Sequence, residues 1–157
     1  MSLAVCPGPF DPVTYGHLDI FERAAQMFDR VIIAVAHNAS KKALFTAEER
    51  IEFIRQSVGA DPRIEVRGVE GLLVDFCADA GASAIVKGLR SGIDLDAEYP
   101  MALMNRELSG IETIFVLGDP AKGHIASSLV KDVALHGGDV SSFVPGCVAR
   151  ALEERYA

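Results

Sequence analysis

Short apolar runs, rich in β-branched residues and interrupted only by Glu65 and Thr113, recur along the chain. They occupy positions 3–6, 31–36, 64–66, 84–86 and 113–117. Continuous apolar runs of this length are typical of strands buried on both faces, as in a parallel sheet. The pattern therefore predicts a sheet built from these runs.

Helical patterns separate the runs. Leu18, Phe21 and Ala25 share one helical face, and Thr46 with Glu49 form a capping box that opens the next helix. Further helices are predicted over residues 72–80, 101–108, 128–136 and 145–155, with Pro100 starting or kinking the second of these. Because strands and helices alternate, we expect a single-domain α/β chain, residues 1–157, with a doubly wound, Rossmann-like parallel sheet and helices on both faces.

Composition then excludes several kinds of partner. The formal net charge of −7 argues against general binding to nucleic acid or to an anionic membrane. No run of about 18 apolar residues predicts a membrane span, and the first residues do not resemble a secretory signal. Cys6, Cys77 and Cys147 are odd in number and lack C-x-x-C spacing, which predicts reduced thiols and a cytoplasmic protein.

The loop after the first run, PGPFDPVTYGH at residues 7–17, is the most unusual stretch. Thr14 is placed to cap the following helix, so His17 falls in its first turn. Free backbone N–H groups and the helix dipole make such an end an anion site. Gly16 removes a side chain that would block a phosphate, and His17 adds a donor where charge develops. The alternative is an ordinary glycine-proline turn.

Three more loops at the same sheet edge carry cations, glycines or hydroxyls. They read HNASKKALF at 37–45, KGLR at 87–90 and GDPAKGHIASS at 118–128, where Ser127 and Ser128 are placed to cap a helix. Taken singly, each has an ordinary explanation as a solvated lysine pair or a plain cap. Together they predict a site that orients two phosphorylated molecules, because ligands of such sheets bind beyond the carboxyl ends of the strands. G-x-x-x-x-G-K-[ST], G-x-G-x-x-G and G-x-S-x-G motifs are absent from the sequence.

With these blocks the sequence resembles the phosphopantetheine adenylyltransferases, a family of the (T/H)-x-G-H nucleotidyltransferase superfamily. The matching blocks, in order, are PGPFDPVTYGHLDI, SKKALFTAEER, IVKGLR, MNREL and SSLVKDVA followed by GGDVSSFVP. The resemblance covers essentially the whole chain. The signature alone would indicate only the superfamily; Lys41, the KGLR stretch and the compact length favour this branch.

The resemblance implies a reaction. ATP and 4′-phosphopantetheine would give dephospho-coenzyme A and pyrophosphate, with Mg²⁺ bound through the ATP phosphates, in the penultimate step of coenzyme A synthesis. The pantetheine phosphate would attack the α-phosphorus of ATP directly. The resemblance also implies a homohexamer and competition by coenzyme A at the active site.

Site residues carry over by position. His17 matches the catalytic histidine that stabilises the transition state. Matches to ATP-binding positions are Pro9, Phe10, His17, Gly88, Leu89, Arg90, Glu98, Lys122, Gly123, His124, Ile125, Ala126, Ser127 and Ser128. Matches to acceptor-binding positions are Pro9, Lys41, Leu73 and Lys87. No side chain is expected to ligate a metal directly.

The chain departs from the family pattern at a few positions. Family members usually carry Thr or Ser where this chain has Pro9, and often Tyr where it has Ala97. Their closing loop often reads F-[IV]-S-S-S, whereas residues 124–128 here read HIASS. Two alternatives therefore stay open. One is a related transferase acting on nicotinamide mononucleotide or glycerol 3-phosphate, and the other is a nucleotide-binding module that has lost catalysis.

Overall fold

The computed structural model describes residues 1–37 and 42–157. Within them five strands form one parallel sheet in the order β3-β2-β1-β4-β5. The strands are β1 (Leu3–Gly8), β2 (Arg30–Ala36), β3 (Ile64–Val69), β4 (Ala84–Leu89) and β5 (Glu112–Leu117). The predicted doubly wound, Rossmann-like parallel sheet is confirmed, and each predicted run lies within one of its strands.

The chain builds the sheet outward from β1, first toward one edge and then toward the other. β1 pairs with β2 on one side and with β4 on the other, so that Ala4 lies between Val31 and Ala84. The chain leaves β1 toward one edge, returns, and continues from β4 toward the opposite edge. In open α/β sheets a crevice forms beyond the carboxyl ends of two such strands.

Six α-helices connect or follow the strands in the described parts of the chain. They are α1 (Tyr15–Met27), α2 (Ala47–Val58), α3 (Leu73–Ala80), α4 (Gly92–Ser109), α5 (Ser127–Leu135) and α6 (Gly146–Tyr156). A short 3₁₀ helix, Pro120–Lys122, precedes α5. Thr14 and Thr46 cap α1 and α2 as predicted, and Gly81 ends α3 in the left-handed conformation, with φ +74°. Within residues 1–37 and 42–157 no helix is both long and apolar enough to cross a membrane.

The prediction for α4 was wrong about its start. The helix begins at Gly92, well before residue 101, and Pro100 lies in its interior. Asp94, in the first turn, accepts a hydrogen bond from the backbone N–H of Arg90 at 2.8 Å. An acidic side chain that binds a backbone N–H just before the helix stabilises the helix start, much as in a capping box. The pattern Ser91-x-x-Asp94 was the sequence signal for this earlier start.

The apolar core lies on both faces of the sheet. Ala4 and Cys6 of β1 belong to the larger cluster, whereas Leu3 and Val5 belong to the cluster on the opposite face. Alternate residues of a strand point to opposite faces, so a strand covered on both sides is apolar at every position. This arrangement explains the unbroken apolar runs of β1 and β2, in which polar groups are left to the strand ends.

Candidate active site

A cavity of about 420 Å³, hereafter the first cavity, opens at the carboxyl ends of β1 and β4. The first turns of α1, α4 and α5 contribute to its wall. Most of the predicted ATP-binding residues line it: Pro9, Phe10, His17, Gly88, Leu89, Arg90, Glu98, Lys122, Ile125, Ala126, Ser127 and Ser128. Residues far apart in the sequence thus meet around one space.

His17 occupies the third position of α1 and completes a reciprocal cap with Thr14. The Thr14 backbone N–H donates to His17 Nδ1 at 3.0 Å, and the His17 backbone N–H donates to Thr14 Oγ1 at 3.3 Å. A backbone N–H can only donate, so Nδ1 must be the unprotonated nitrogen of the ring. In the neutral ring the hydrogen therefore resides on Nε2, which is free to donate to a ligand.

The surroundings of His17 keep its ring neutral. Burial, and then the positive charge of Arg90, lower the pKa of His17 from 6.5 to about 4. Both effects disfavour the imidazolium, because burial removes hydration and a like charge repels it. At neutral pH His17 is therefore a neutral hydrogen-bond donor.

Phe10 holds the imidazole from the side. Its ring packs edge-on against His17 with centroids 5.0 Å apart, and against Phe21 at 5.2 Å. The backbone of Phe10 has φ +46°, a conformation that costs energy for a residue with a side chain. A Cβ at Gly8 would lie 2.8 Å from Phe10 Cζ, so Gly8 makes room for this ring. The need for glycine here is therefore explained by the packing of Phe10.

The cations of the first cavity each have a carboxylate partner. Lys87 pairs with Glu98 at 2.8 Å and Arg90 with Asp94 at 3.1 Å. The third pair joins Lys122 to Asp119 at 3.5 Å. These partly exposed pairs hold the cationic groups at the cavity wall, and each is weak enough to yield to a more highly charged ligand.

Arg90 also reaches the loop on the far side of the cavity. Its Nη1 donates to the backbone carbonyl of Ile125 at 3.1 Å. The loop from residue 122 to residue 128 is therefore fastened to the end of β4. The guanidinium of Arg90 thus joins two walls of the first cavity. Its charge also lowers the pKa of His17, which lies in another wall of the same cavity.

The helix starts at this cavity differ in whether their first N–H groups already have partners. In α1 the N–H of Tyr15 already donates to Phe143 O at 2.9 Å, and that of His17 is taken by Thr14. The N-cap of α5 is Ala126, whose side chain cannot cap. The prediction that Ser127 and Ser128 cap this helix was wrong, because both lie inside it and Ser127 Oγ donates to Pro12 O at 2.8 Å. The first N–H groups of α5 are left without a side-chain cap, as an anion requires.

A second cavity of about 460 Å³ adjoins the first. The two share a wall made of Pro7, Gly8, Pro9, Lys87 and Glu98. Leu73, a predicted acceptor-binding residue, lines this second cavity. Lys41, another predicted acceptor-binding residue, lies outside the described residues. Of the described acceptor-binding predictions, Leu73 lines the second cavity alone, whereas Pro9 and Lys87 line both cavities.

Comparison with known proteins identifies the family. Residues 5–133 match the cytidylyltransferase-like family. A phosphopantetheine adenylyltransferase from a Nocardioides species is 52% identical over 157 residues, which is 100% of this chain and 99% of that protein. The chain belongs to the phosphopantetheine adenylyltransferase family. Another relative with this name, from Bifidobacterium longum, is 48% identical over 100% of this chain and 96% of its own length.

A distant structural match agrees with the fold of this phosphopantetheine adenylyltransferase family member. The crystal structure of a lipopolysaccharide core biosynthesis protein from Thermoplasma volcanium GSS1 superposes with a TM-score of 0.55 and 20% identity. The match covers 76% of this chain and 97% of the other chain. At this level of identity it shows a shared fold only.

Three of the predicted ATP-binding residues, Gly123, His124 and Gly88, have structural roles that the sequence did not indicate. Gly123 and His124 are not among the residues that line the first cavity, and the His124 ring packs edge-on against Phe143 at 5.9 Å. A Cβ at Gly88 would lie 2.5 Å from Cγ1 of Ile20 on α1. The lack of a side chain at Gly88 is therefore explained by helix–strand packing, although the residue does border the cavity.

Sequence reasoning missed the aspartates that organise the site. Asp94 and Asp119 pair with its cations, and Asp19 accepts the backbone N–H of Asp119 at 2.8 Å. Asp11 is buried and accepts hydrogen bonds from the backbone N–H groups of Leu44 and Phe45 at 2.9 and 3.0 Å. The position of Asp11 between Phe and Pro in a loop of apolar residues was the available signal.

Proposed function

We propose that this chain transfers the adenylyl group of ATP to 4′-phosphopantetheine, forming dephospho-coenzyme A and pyrophosphate in coenzyme A synthesis. The observation that carries the proposal is full-length similarity of about half the residues to two phosphopantetheine adenylyltransferases. Two cavities that share one wall support it, since the reaction needs two substrates held against each other.

ATP occupies the first cavity. Arg90, Lys122 and the uncapped start of α5 converge there, and together they suit a triphosphate. On binding, the phosphates replace Asp94 and Asp119 as partners of these cations. The described residues contain no group of three or more His, Cys, Asp or Glu side chains arranged for a metal. We assign Mg²⁺ to the ATP phosphates on the resemblance to the family, where it would neutralise part of their charge.

The acceptor occupies the second cavity, with its phosphate at the shared wall. Lys87 lies in that wall and supplies a positive charge, while Leu73 offers an apolar contact elsewhere in the second cavity. Pro9 has no N–H and no hydroxyl, so it contributes shape and no donor. We assign Lys41 to the acceptor phosphate as well, on the resemblance of its sequence block.

His17 acts on the reacting phosphorus. The acceptor phosphate oxygen attacks the α-phosphorus of ATP, the new P–O bond forms, and the bond to pyrophosphate breaks. Negative charge on the non-bridging oxygens must be stabilised as this occurs. The neutral ring of His17 donates from Nε2 while Nδ1 is held by Thr14, so no proton transfer by this ring is required.

An acceptor panel tests the proposed function. The chain is incubated with Mg-ATP or Mg-CTP and 4′-phosphopantetheine, nicotinamide mononucleotide or glycerol 3-phosphate, and pyrophosphate release is measured. We expect release with ATP and 4′-phosphopantetheine, accompanied by dephospho-coenzyme A. Preference for another acceptor would place the chain in a different transferase branch. Nucleotide binding without release for any acceptor would indicate a module that has lost catalysis.

The assembly is proposed as a homohexamer of chains that each act as one nucleotidyltransferase domain, residues 1–157. No residue of α4 is buried in the single chain, although several large apolar side chains lie on it. The exposed ones are Ile93, Leu95, Tyr99, Met101, Leu103, Met104 and Leu108. An exposed apolar patch of this kind is typical of a protein–protein interface. Light scattering coupled to size-exclusion chromatography checks the proposal, and a monomer would contradict it.

Localisation and product control follow from the same assignment. We propose a cytoplasmic enzyme whose active site also binds coenzyme A, the end product of its pathway. The thiols of Cys6 and Cys77 are buried, and burial raises their pKa values to about 12 and about 11, so they stay protonated and unreactive. Competition of coenzyme A against 4′-phosphopantetheine in the pyrophosphate assay tests the proposed inhibition.

A further inference from the structure

Arg50, on α2, is a charged side chain in the protein interior that the mechanism above does not use. It is 4% exposed. Its Nε donates to Phe45 O at 3.1 Å, and its Nη1 donates to Pro9 O at 2.8 Å and to Ala36 O at 3.0 Å. Burying a guanidinium is costly unless its N–H groups are paired, and here backbone carbonyls pair them.

The three carbonyls belong to three separate segments. Pro9 lies in the loop after β1, Ala36 is the last residue of β2, and Phe45 precedes the N-cap of α2. The guanidinium is a rigid planar fork, so it fixes the directions from which these carbonyls approach. A lysine ammonium keeps the charge but lacks the fork, and cannot hold all three carbonyls in the same geometry.

These contacts are unequally distributed between the two cavities. Pro9 and Ala36 both line the second cavity, whereas only Pro9 borders the first. Arg50 therefore holds the wall of the second cavity at two points. The nucleotide side depends mainly on other ties, such as that from Arg90 to Ile125 O.

Asp11, which carries the opposite charge, binds the same residue as Arg50, namely Phe45. Its carboxylate accepts the N–H of Phe45 at 3.0 Å, while Arg50 binds the carbonyl of Phe45. The loop that contains Pro9 and Asp11 is thus bound to the start of α2 by two buried charged side chains. Such a doubly tied wall keeps its shape before a ligand arrives, which lowers the entropy lost on binding.

We propose that Arg50 is a positioning residue for the acceptor, which shapes the second cavity by holding Pro9 and Ala36 in register. This inference rests on the proposed function, because the acceptor is the substrate assigned to that cavity. Arg50 does not touch the reacting atoms. It acts through two backbone carbonyls, and its removal alters the acceptor side more than the nucleotide side.

The test compares Arg50→Lys with Arg55→Lys. Arg55 lies on the same helix and donates to one strand carbonyl, Val66 O at 3.2 Å, but it lines neither cavity. Pyrophosphate release is measured while 4′-phosphopantetheine is varied at saturating Mg-ATP. It is then measured while Mg-ATP is varied at saturating 4′-phosphopantetheine. Urea unfolding of each variant establishes that it folds.

In Arg50→Lys we expect the KM for 4′-phosphopantetheine to rise about 10-fold or more, since displacement of about 1 Å can cost up to about 100-fold. In the same variant the KM for ATP should stay within about 3-fold of the wild-type value. Arg55→Lys should change neither KM by more than about 3-fold, as expected for a substitution outside both cavities. An unchanged acceptor KM, a parallel rise of both KM values, or failure of Arg50→Lys to fold cooperatively would each overturn the role of Arg50. Absence of turnover in the wild type would instead contradict the proposed function.

Discussion

Replacing His17 by asparagine separates two roles of its imidazole. Nδ1 accepts the Thr14 N–H at 3.0 Å, and Nε2 carries the hydrogen that we propose is donated to the reacting phosphate. The asparagine side-chain oxygen can accept the same N–H, because it is bonded to Cγ just as Nδ1 is in histidine. The asparagine side chain has no group that reaches the position of Nε2 in histidine. Alanine, by comparison, removes both the acceptor and the donor.

The two variants should therefore differ in stability but not in activity. Loss of one donor to developing charge lowers kcat by about 10²- to 10³-fold in both. Thr14 is 1% exposed, so alanine leaves its N–H buried and unpaired. That costs about 1–3 kcal/mol of the free energy of unfolding, and each kcal/mol lowers the Tm of a chain this long by about 2–4 °C. The asparagine variant should remain within about 1 kcal/mol of wild type.

Turnover at saturating Mg-ATP and 4′-phosphopantetheine gives kcat, and urea unfolding gives stability for all three proteins. An asparagine variant that retained turnover within a few-fold of wild type would refute the assignment of Nε2 as the donor. Equal loss of stability in both variants would refute the capping role of Nδ1. Wild-type stability of the alanine variant would show that the Thr14 N–H finds another partner.

Other expected outcomes concern the packing, titration and anchoring of the site. Gly88→Ala should lower the free energy of unfolding by about 1–3 kcal/mol through its clash with Ile20, and Ile20→Ala in the same chain should restore part of it, as measured by urea unfolding. The ring resonances of His17 should titrate near pH 4 by NMR, and Arg90→Ala should move the pKa upward. Because the unfolded state takes up this proton near pH 6.5 and the folded state only near pH 4, His17 should make stability fall as pH falls across that window. Asp11→Asn should cost about 1.5–3 kcal/mol by urea unfolding, since two backbone N–H groups lose a charged acceptor, and an unaltered midpoint would contradict its anchoring role.

The parts of this fold that could be predicted are those encoded locally. Thr46 and Glu49 lie three residues apart, and their reciprocal bonds need nothing from the rest of the chain. Gly81 marks the end of α3 because few other residues adopt its backbone conformation readily. The apolar runs predicted the central strands because burial on both faces leaves few polar positions there. The place of His17 in the first turn of α1 followed from Thr14 in the same way.

What could not be predicted depends on residues distant in sequence. Nothing near Gly88 indicates that Ile20 will fill the space above it. The pairing of Lys87 with Glu98 and the bond from Arg90 to Ile125 O need the folded sheet to bring their partners together. A purely local pattern likewise cannot distinguish Arg50 from Arg55, the other arginine of α2. Its burial is decided by three carbonyls that arrive from other segments or from the preceding loop.

The shared wall between the cavities has a consequence for inhibitor design. Two small fragments, one in each cavity, would lie on either side of the Lys87–Glu98 pair. A short linker that passes Pro9 could join them, so that binding of the first fragment presents the second at a high effective concentration. The joined compound would bind far more tightly than either half, provided that the linker spans the wall without strain. An inhibitor of this chain therefore gains more affinity by bridging the two cavities than by filling either of them completely.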